Sequence, residues 1–142
     1  MSFQAFWLVL LSVFFWGIAP IVEKIGFSRA NPDPFIALTV RSLAVLLGLA
    51  IIIVSQGKTQ SLMEINPKTI IFFSISGILA GLLGTWCYLS ALRIGEASQI
   101  VPISATYPLV ATLLSFLILK EDLTISRILG TVFIVTGIWL LK

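Results

Sequence analysis

Five long apolar segments alternate with short polar or charged stretches along this chain. They cover about residues 5–26, 34–54, 69–92, 97–119 and 125–141. A helix of about 20 apolar residues, rising about 1.5 Å per residue, crosses a hydrocarbon core of roughly 30 Å. The pattern therefore predicts an all-α integral membrane protein with five transmembrane helices.

Turn-forming and charged residues separate these segments. Asn31 to Pro34 breaks the chain before the second segment, and Gln56 to Lys68 is the longest predicted loop. Arg93 to Glu96 alone separates the third and fourth segments, and Lys120 to Asp122 precedes the fifth. Connections this short join antiparallel neighbours, so we expect the fourth helix to lie beside both the third and the fifth.

The fourth segment is polar for a membrane span. It has no charge from Ala97 to Leu119, but it contains two prolines and five serines or threonines. A proline removes a backbone hydrogen bond that lipid cannot replace, so such a helix is tolerated where it faces protein or a water-filled cavity. We expect this segment to line a transport path, with Pro20, Pro102 and Pro108 as helix hinges. The alternative is that its hydroxyls bond to their own helix backbone.

The composition points to one membrane domain. Hydrophobic residues make up 58% of the 142 positions and charged residues 11%, against roughly 25% charged residues in soluble domains. No long polar stretch remains that could fold separately, so we expect a single transmembrane domain over residues 1–142. The first segment lacks the basic flank and cleavage site of a signal peptide, and we expect it to remain as a helix.

The residue types present argue against catalysis and metal binding. The chain has no histidine and one cysteine, Cys87, which lies in an apolar segment. It cannot supply a Ser-His-Asp triad, a Cys-His pair or a zinc site of histidines or paired cysteines. We therefore expect no enzyme activity, no cofactor and no metal. A net charge of +3, spread over several loops, suits membrane lipids as partners and predicts no nucleic-acid partner.

Basic residues are nearly balanced between the two faces that five crossings would create. One face holds the N-terminus with Lys58, Lys68, Lys120 and Arg127, and the other holds Lys24, Arg29, Arg41, Arg93 and Lys142. The positive-inside rule then has almost no bias to act on, so the chain could insert in both orientations. The alternative is that the count is uninformative because helix ends are uncertain.

Small residues form a stripe on the third segment. On a wheel of about 100° per residue, one arc contains Gly77, Gly81, Gly84, Tyr88, Ala91 and Gly95. Such stripes let membrane helices approach closely, and we expect packing against other helices at Gly77, Gly81 and Gly84, and at Gly130 and Gly137 of the fifth segment. Tyr88 differs from its neighbours, because an aromatic ring with a hydroxyl either fills a groove or lines one.

Two further stripes combine small residues with a charge. Arg41 shares a helix face with Ala37, Ala44 and Gly48, and Glu23 shares one with Ser12, Trp16 and Pro20. An arginine near a helix centre costs roughly 2.5 to 3.5 kcal/mol on insertion scales, so it needs a partner or a task. Arg41 could instead snorkel to the interface. The other candidate partners are Glu23, helix-end carbonyls and an anionic substrate.

Several of these features together resemble a known family. Tyr88 to Gly95 fits aromatic-x-x-Ala-Leu-x-x-Gly, and Ala97 to Pro102 fits Ala-Ser-x-x-x-Pro. A second proline follows at Pro108, and the acidic loop Lys120 to Asp122 precedes the last segment. These motifs, with weaker signals at Trp16-Gly17 and Arg41, resemble the EamA domain of the drug/metabolite transporter superfamily over essentially the whole chain.

The resemblance implies an architecture larger than one chain. Members of the superfamily typically have two such domains, ten helices in all, arranged as inverted repeats around a central cavity. This five-helix chain would then be one half of a ten-helix inverted-repeat transporter architecture, completed by an antiparallel homodimer that the balanced charges permit. The loosely similar small multidrug exporters use a glutamate deep in the first helix, whereas Glu23 lies near the helix end. That difference argues against proton antiport and leaves facilitated exchange open.

We therefore expect a secondary transporter of a small organic metabolite or drug-like compound, located in the cell membrane and working by alternating access. The expected substrate-binding residues offer rings, hydroxyls and one charge: Trp16, Arg41, Tyr88, Ser98, Ser104 and Tyr107. The alternative is a non-transporting or heteromeric membrane subunit, such as a lipid-carrier flippase partner. Apolar, aromatic and small residues accept many molecules and do not identify the substrate.

Overall fold

The computed structural model describes residues 3–122 and 124–140, and the regular elements within them are all helical. Helix α1 is Phe3–Ala30, α2 is Pro34–Ser55 and the short α3 is Thr59–Met63. Helix α4 (Pro67–Ser76) continues through a first π-helical segment, Gly77–Gly84, into α5 (Thr85–Ile94). The remaining elements are α6 (Ala97–Ser104), α7 (Tyr107–Leu114), a second π-helical segment (Ser115–Leu119) and α8 (Ile125–Trp139).

Four helical stretches of the described chain are long and apolar enough to cross a membrane: Phe3–Ala30, Pro34–Ser55, Pro67–Ile94 and Ala97–Leu119. They confirm the first four predicted spans. Helix α8 has 15 residues, and at about 1.5 Å per residue it covers about 22 Å of a hydrocarbon core of roughly 30 Å. A fifth helix is thus present, while a fifth membrane crossing stays a prediction. Residue 141, where the predicted segment ends, lies outside the described residues.

The break between α1 and α2 follows from three polar or cyclic residues. Asn31 has a φ of 43°, in the left-handed region, and its N–H donates to the Phe27 carbonyl at 2.8 Å. This closes the last turn of α1. A carboxylate oxygen of Asp33 accepts the Phe35 N–H at 2.9 Å, and Pro34 occupies the start of α2, where its missing N–H is not needed.

The longest predicted loop contains a short helix that its sequence did not predict. Within α3, the side-chain amide of Gln60 donates to the Glu64 carboxylate at 3.0 Å, an i,i+4 contact that supports a helical turn. Asn66 then caps α4 by accepting the Lys68 N–H at 2.9 Å. The loop prediction is therefore right about where the apolar segments stop and incomplete about what lies between them.

The fourth predicted segment is an interrupted helix. The two residues Ala105–Thr106 separate α6 from α7. Pro108 lies in the first turn of α7, where helices tolerate proline, whereas Pro102 lies inside α6 and Pro20 inside α1. Of the three predicted hinges, Pro108 is thus the one in the first turn after the interruption. Movement at any of them stays a prediction.

The third predicted segment changes helix type in its middle. Over Gly77–Gly84 the backbone is π-helical, so that each N–H bonds to the carbonyl five residues earlier. The hydroxyl of Thr85 donates to the Ala80 carbonyl at 2.9 Å, and the same carbonyl accepts the Thr85 N–H at the end of this segment. An α-helical wheel does not apply across these wider turns. The predicted alignment of Gly77 and Gly81 with Tyr88 is therefore not maintained in angle.

The chain forms two compact units. Unit A is Val22–Arg93, and unit B combines the described residues of Met1–Ile21 and Ile94–Lys142. Unit A contains four buried large apolar side chains, contributed by α1, α2 and α5: Phe27, Leu38, Leu89 and Leu92. Pro34 of unit A and Pro20 of unit B are buried as well. Many other large apolar side chains in both units are exposed. Apolar surface of this extent suits contact with lipid or with another protein.

Candidate functional site

An ion pair joins α1 to α2 inside unit A. Nε of Arg41 lies 3.6 Å from Oε1 of Glu23, and both residues belong to helices long and apolar enough to span a membrane. Arg41 lies seven residues after Pro34, about 10 Å along α2. Of the candidate partners for this arginine, Glu23 is the one that the structure places beside it. Snorkelling is not needed to explain its position.

The contact uses little of the arginine. Its length exceeds that of a hydrogen bond, and the two terminal guanidinium nitrogens make no hydrogen bond to any described residue. The Glu23 side chain is 18% exposed and that of Arg41 is 48% exposed. The pair therefore holds α1 near α2 while leaving the forked end of the guanidinium able to bind another anion.

Tyr88 of α5 lies near the ion pair of Glu23 and Arg41. Its hydroxyl is buried and has no hydrogen-bond partner among the described residues. Both Glu23 and Arg41 interact with it electrostatically. A buried polar group without a partner costs about 1–3 kcal/mol and calls for an explanation, which at a site that binds something is the ligand. We refer to Glu23, Arg41 and Tyr88 as the polar cluster.

An aromatic stack fixes two of the three helices that form the polar cluster. The rings of Phe35 on α2 and Trp86 on α5 lie nearly parallel, at 17°, with centroids 4.9 Å apart. Such pairs contribute about 0.5–1.5 kcal/mol beyond the area that they bury. Trp86 precedes Tyr88 by two residues, so the stack limits how far the tyrosine can move relative to α2.

Cations tie the C-terminal ends of α1 and α5 together. Nζ of Lys24 donates to the Leu92 carbonyl at 2.9 Å, and Arg93 donates to the Asn31 side chain at 2.7 Å and to its carbonyl at 3.4 Å. Carbonyls in the last turn of a helix lack helical partners and attract positive charge. We refer to Lys24, Asn31, Leu92 and Arg93 as the cation clasp. It keeps Glu23 of α1 near Tyr88 of α5.

The other predicted binding residues lie in unit B. Trp16 and Tyr107 are 64% and 63% exposed. The Ser98 hydroxyl donates to the Glu96 carboxylate at 3.4 Å, and the Ser104 hydroxyl donates to the carbonyl three residues earlier at 2.8 Å. Ser104 thus shows the backbone bonding that was the alternative to lining a cavity. Substrate binding by these four residues stays a prediction.

The predicted packing glycines are mostly surrounded by open space. A methyl group added at Gly77, Gly81, Gly130 or Gly137 would meet no described atom within 4 Å, apart from the chain beside it. At Gly84 it would lie 3.2 Å from the Leu79 carbonyl, because the π-helical turn brings that oxygen close. The other four glycines therefore do not pack closely against another described helix of the same chain. Packing between copies stays a prediction.

The chemistry available at the polar cluster is ion binding and proton exchange. Across residues 3–122 and 124–140, no three His, Cys, Asp or Glu side chains are grouped so as to hold a metal ion. The free thiol of Cys87 is exposed on α5. A carboxylate, a guanidinium and a phenol can together bind a charged group and transfer a proton.

Comparison with known proteins identifies the family. A model of the EamA-like transporter family matches residues 4–142. The chain belongs to the EamA-like transporter family. It is 31% identical over 137 residues to an uncharacterized transporter of the cobO 3′ region in a Sinorhizobium species, covering 96% of this chain and 94% of that relative. The predicted resemblance, the transporter class and a location in a membrane are thereby confirmed. The cell membrane in particular stays a prediction.

A second relative is also similar over nearly the whole chain. It is an uncharacterized protein of Methanocaldococcus jannaschii, 33% identical over 133 residues, with 94% of this chain and 92% of the relative covered. Both relatives are thus close to this chain in length. No solved structure matches the chain.

Proposed function

We propose that this EamA-like protein is a secondary transporter that moves a small organic metabolite or drug-like compound across the cell membrane by alternating access. The polar cluster carries the proposal, because it places an ion pair and an unpartnered hydroxyl inside helices that can span a membrane. Placing an ionisable group within a membrane-spanning segment costs free energy, and such groups typically mark the paths of substrates or ions. A bundle that only scaffolds other proteins can pack through small residues alone.

Alternating access needs backbone that can rearrange. The interruption at Ala105–Thr106 and the π-helical segments Gly77–Gly84 and Ser115–Leu119 depart from regular α-helical bonding. Transporters commonly bind substrate beside such discontinuities, where released carbonyls and N–H groups face a cavity. In the proposed cycle these places move, while the cation clasp keeps the ends of α1 and α5 together.

The working unit in this proposal is an antiparallel homodimer. Exposed apolar side chains and open glycine faces suit contact with a second copy, and relatives of similar length would face the same need. In this proposal helix α8 is the fifth span, and the two termini then lie on opposite sides of the membrane. A short helix can cross where the bilayer thins locally.

Reporters fused to the C-terminus test the orientation. One is active only in the cytoplasm and the other only outside it. An antiparallel dimer predicts signal from both, at comparable levels. Signal from a single side would contradict the antiparallel homodimer and leave transport itself open.

Transport is tested with the purified protein alone in liposomes. A mixture of organic acids, amines and neutral compounds is supplied outside, and the contents are identified by mass spectrometry. We expect at least one compound to enter unchanged, faster than with Arg41→Gln and as fast with the matched surface variant Arg29→Gln. A folded protein that moves no compound would favour the non-transporting or heteromeric subunit. Chemically altered compounds would indicate an enzyme.

A further inference from the structure

The polar cluster contains one cation, Arg41, and one carboxylate, Glu23. Arg41 has room to bind a second anion, supplied by a solute. Arg41 touches Glu23 only through Nε, which leaves the forked end of the guanidinium unbonded to any described residue. That fork matches the oxygens of a carboxylate, sulfonate or phosphate, which it can bind through two parallel hydrogen bonds. A solute anion would therefore have a better contact with Arg41 than Glu23 has.

Tyr88 supplies a second donor for the same anion. Its hydroxyl is buried without a hydrogen-bond partner among the described residues, and it interacts electrostatically with both charges. A phenol donates readily to an anionic oxygen, and such a charge-assisted bond is about twice as strong as a neutral one. An anion at Arg41 would thus satisfy both groups at once.

Glu23 cannot keep its charge unchanged when that anion arrives. Two negative groups beside one positive group repel each other, and the repulsion is poorly screened away from water. Uptake of a proton by the Glu23 carboxylate removes the repulsion and restores the neutrality of the cluster. We propose that Arg41 and Tyr88 bind the anionic group of an organic solute, that this group displaces Glu23 from Arg41, and that Glu23 takes up a proton as it is displaced.

The charged groups around Glu23 support one exchange, in which Arg41 leaves Glu23 and binds the solute anion. On α2 the facing cation is Arg41, and on α5 the facing titratable group is Tyr88. On α1 itself, Lys24 donates to a carbonyl of the cation clasp, and Arg93 of α5 bonds to Asn31 there. Arg41 is therefore the cation over which Glu23 and the solute compete. The net result is one anion and one proton bound together, which makes them co-substrates.

This inference rests on the proposed function and extends it to a substrate class and a coupling ion. Its test is calorimetric titration of the purified protein, in a non-ionic detergent, with benzenesulfonate. This probe stays ionised at every pH used and cannot carry the proton itself. Titrations in two buffers of different ionisation enthalpy give the protons taken up. We expect uptake of about one proton per anion, and an affinity that rises by up to about tenfold per unit fall in pH where Glu23 is ionised in the free protein.

Variants assign the proton and the anion to their residues. Glu23→Gln should bind benzenesulfonate without proton uptake and with little dependence on pH. Arg41→Gln should weaken binding by about a hundredfold, and Tyr88→Phe by about tenfold. Arg41→Lys keeps the charge without the fork, so it should bind more weakly but still take up a proton. Arg41→Lys replaces Arg41→Gln in this test if the glutamine variant does not fold. The control Arg29→Gln should behave as the wild type.

Four results would overturn the inference. They are no binding of benzenesulfonate at millimolar concentration, binding without proton uptake at any pH, unchanged proton uptake in Glu23→Gln, and preferential binding of benzyltrimethylammonium. A wild-type protein that gave one of these but still moved compounds in liposomes would refute this inference and leave the proposed function intact. Proton-coupled binding in a folded protein that moves no compound would support anion binding at the polar cluster and contradict the proposed transport function.

A lipid phosphate offers the same chemistry as a solute anion, and a further titration separates the two sources. Benzenesulfonate binding that persists in bilayers rich in phosphatidylglycerol assigns the site to a free solute anion. Binding that survives in detergent but is lost in those bilayers assigns it to a lipid headgroup. Either result supports anion binding coupled to proton uptake at Glu23.

Discussion

Units A and B use their polar side chains in different ways. In unit A, four charged residues contact partners outside their own helix: Glu23, Lys24, Arg41 and Arg93. In unit B, several hydroxyls bond to groups only three to six residues away: Ser104, Thr106 and Ser115. Hydroxyls of unit A form local bonds as well: Thr39, Thr85 and Ser90. Contacts between helices fix their relative positions, whereas local bonds satisfy one helix without restraining its neighbours. Among the described residues, the helices of unit A are thus held to one another by charged side chains, in addition to local bonds of the kind seen in unit B.

Apolar burial follows the same division. The four buried large apolar side chains of the described chain all lie in unit A. In unit B, Leu113 is 57% exposed and Val110 is 61% exposed. We therefore expect most of the stability of a single chain to reside in unit A, and unit B to gain its contacts from lipid or from a second copy.

Truncating a buried leucine should have the largest effect. Leu92 is 0% exposed, so Leu92→Ala should lower the free energy of unfolding by about 2–5 kcal/mol through lost contacts and a cavity. Leu113→Ala in unit B should change it by about 0.5 kcal/mol or less. Reversible unfolding in mixed micelles, followed by tryptophan fluorescence, measures both. Equal losses would contradict a core confined to unit A.

Breaking the ion pair should have the next largest effect. Arg41→Gln leaves the Glu23 carboxylate without its partner, and we expect a loss of about 1–3 kcal/mol, less than for a fully buried pair because Arg41 is half exposed. The double variant Glu23→Gln with Arg41→Gln should recover part of that loss, since no unpaired charge remains. Losses that simply add in the double variant would show that the two residues do not depend on each other.

Opening the cation clasp should have a smaller, local effect. Asn31→Gly keeps the left-handed backbone but removes the side chain that Arg93 bonds, and we expect a loss of about 1 kcal/mol. Asn31→Ala should lose more, because alanine is strained at a φ of 43°. Amide hydrogen exchange should quicken at the ends of both α1 and α5 in Asn31→Gly. Faster exchange in α1 alone would argue against a clasp between the two helices.

The smallest effect is expected at the end of the first π-helical segment. Thr85→Val removes the hydroxyl that bonds the Ala80 carbonyl at 2.9 Å, and we expect a loss of about 0.5–1 kcal/mol. Thr85→Ser keeps the hydroxyl and serves as the control. Hydrogen exchange should rise within Gly77–Gly84 in the valine variant, while the amides of α6 and α7 stay unchanged. A change spread over both units would show that they are not separately stabilised.

Much of this arrangement could be predicted from sequence, because it depends on local rules. Apolar length predicted the first four spans, and the polar and proline residues from Asn31 to Pro34 predicted where α1 stops and α2 starts. An arginine on an otherwise apolar helix signalled a need for a partner, and Glu23 was among the candidates that followed.

What sequence could not predict depends on tertiary structure. The partners of Lys24 and Arg93 lie 68 and 62 residues away, and backbone carbonyls carry no residue-specific signal. The π-helical turns were not predicted, because a helical wheel of about 100° per residue assumes α-helical spacing. Short α3 was missed since five residues are too few for a periodic pattern. Residue type alone does not show which predicted site residues of unit B would bind a substrate, because hydroxyl side chains can bond to the backbone as well as to a ligand.

A π-helix has more residues per turn than an α-helix, so the first π-helical segment adds extra chain to the third span. Deleting a single residue between Gly77 and Gly84 could restore α-helical bonding without displacing α4 or α5. The same deletion within α4 would turn everything after it by about 100° and misdirect Tyr88. We therefore expect this span to tolerate a one-residue deletion here without a change in the direction of Tyr88. The segment is where span length could drift during evolution while the binding chemistry stayed in place.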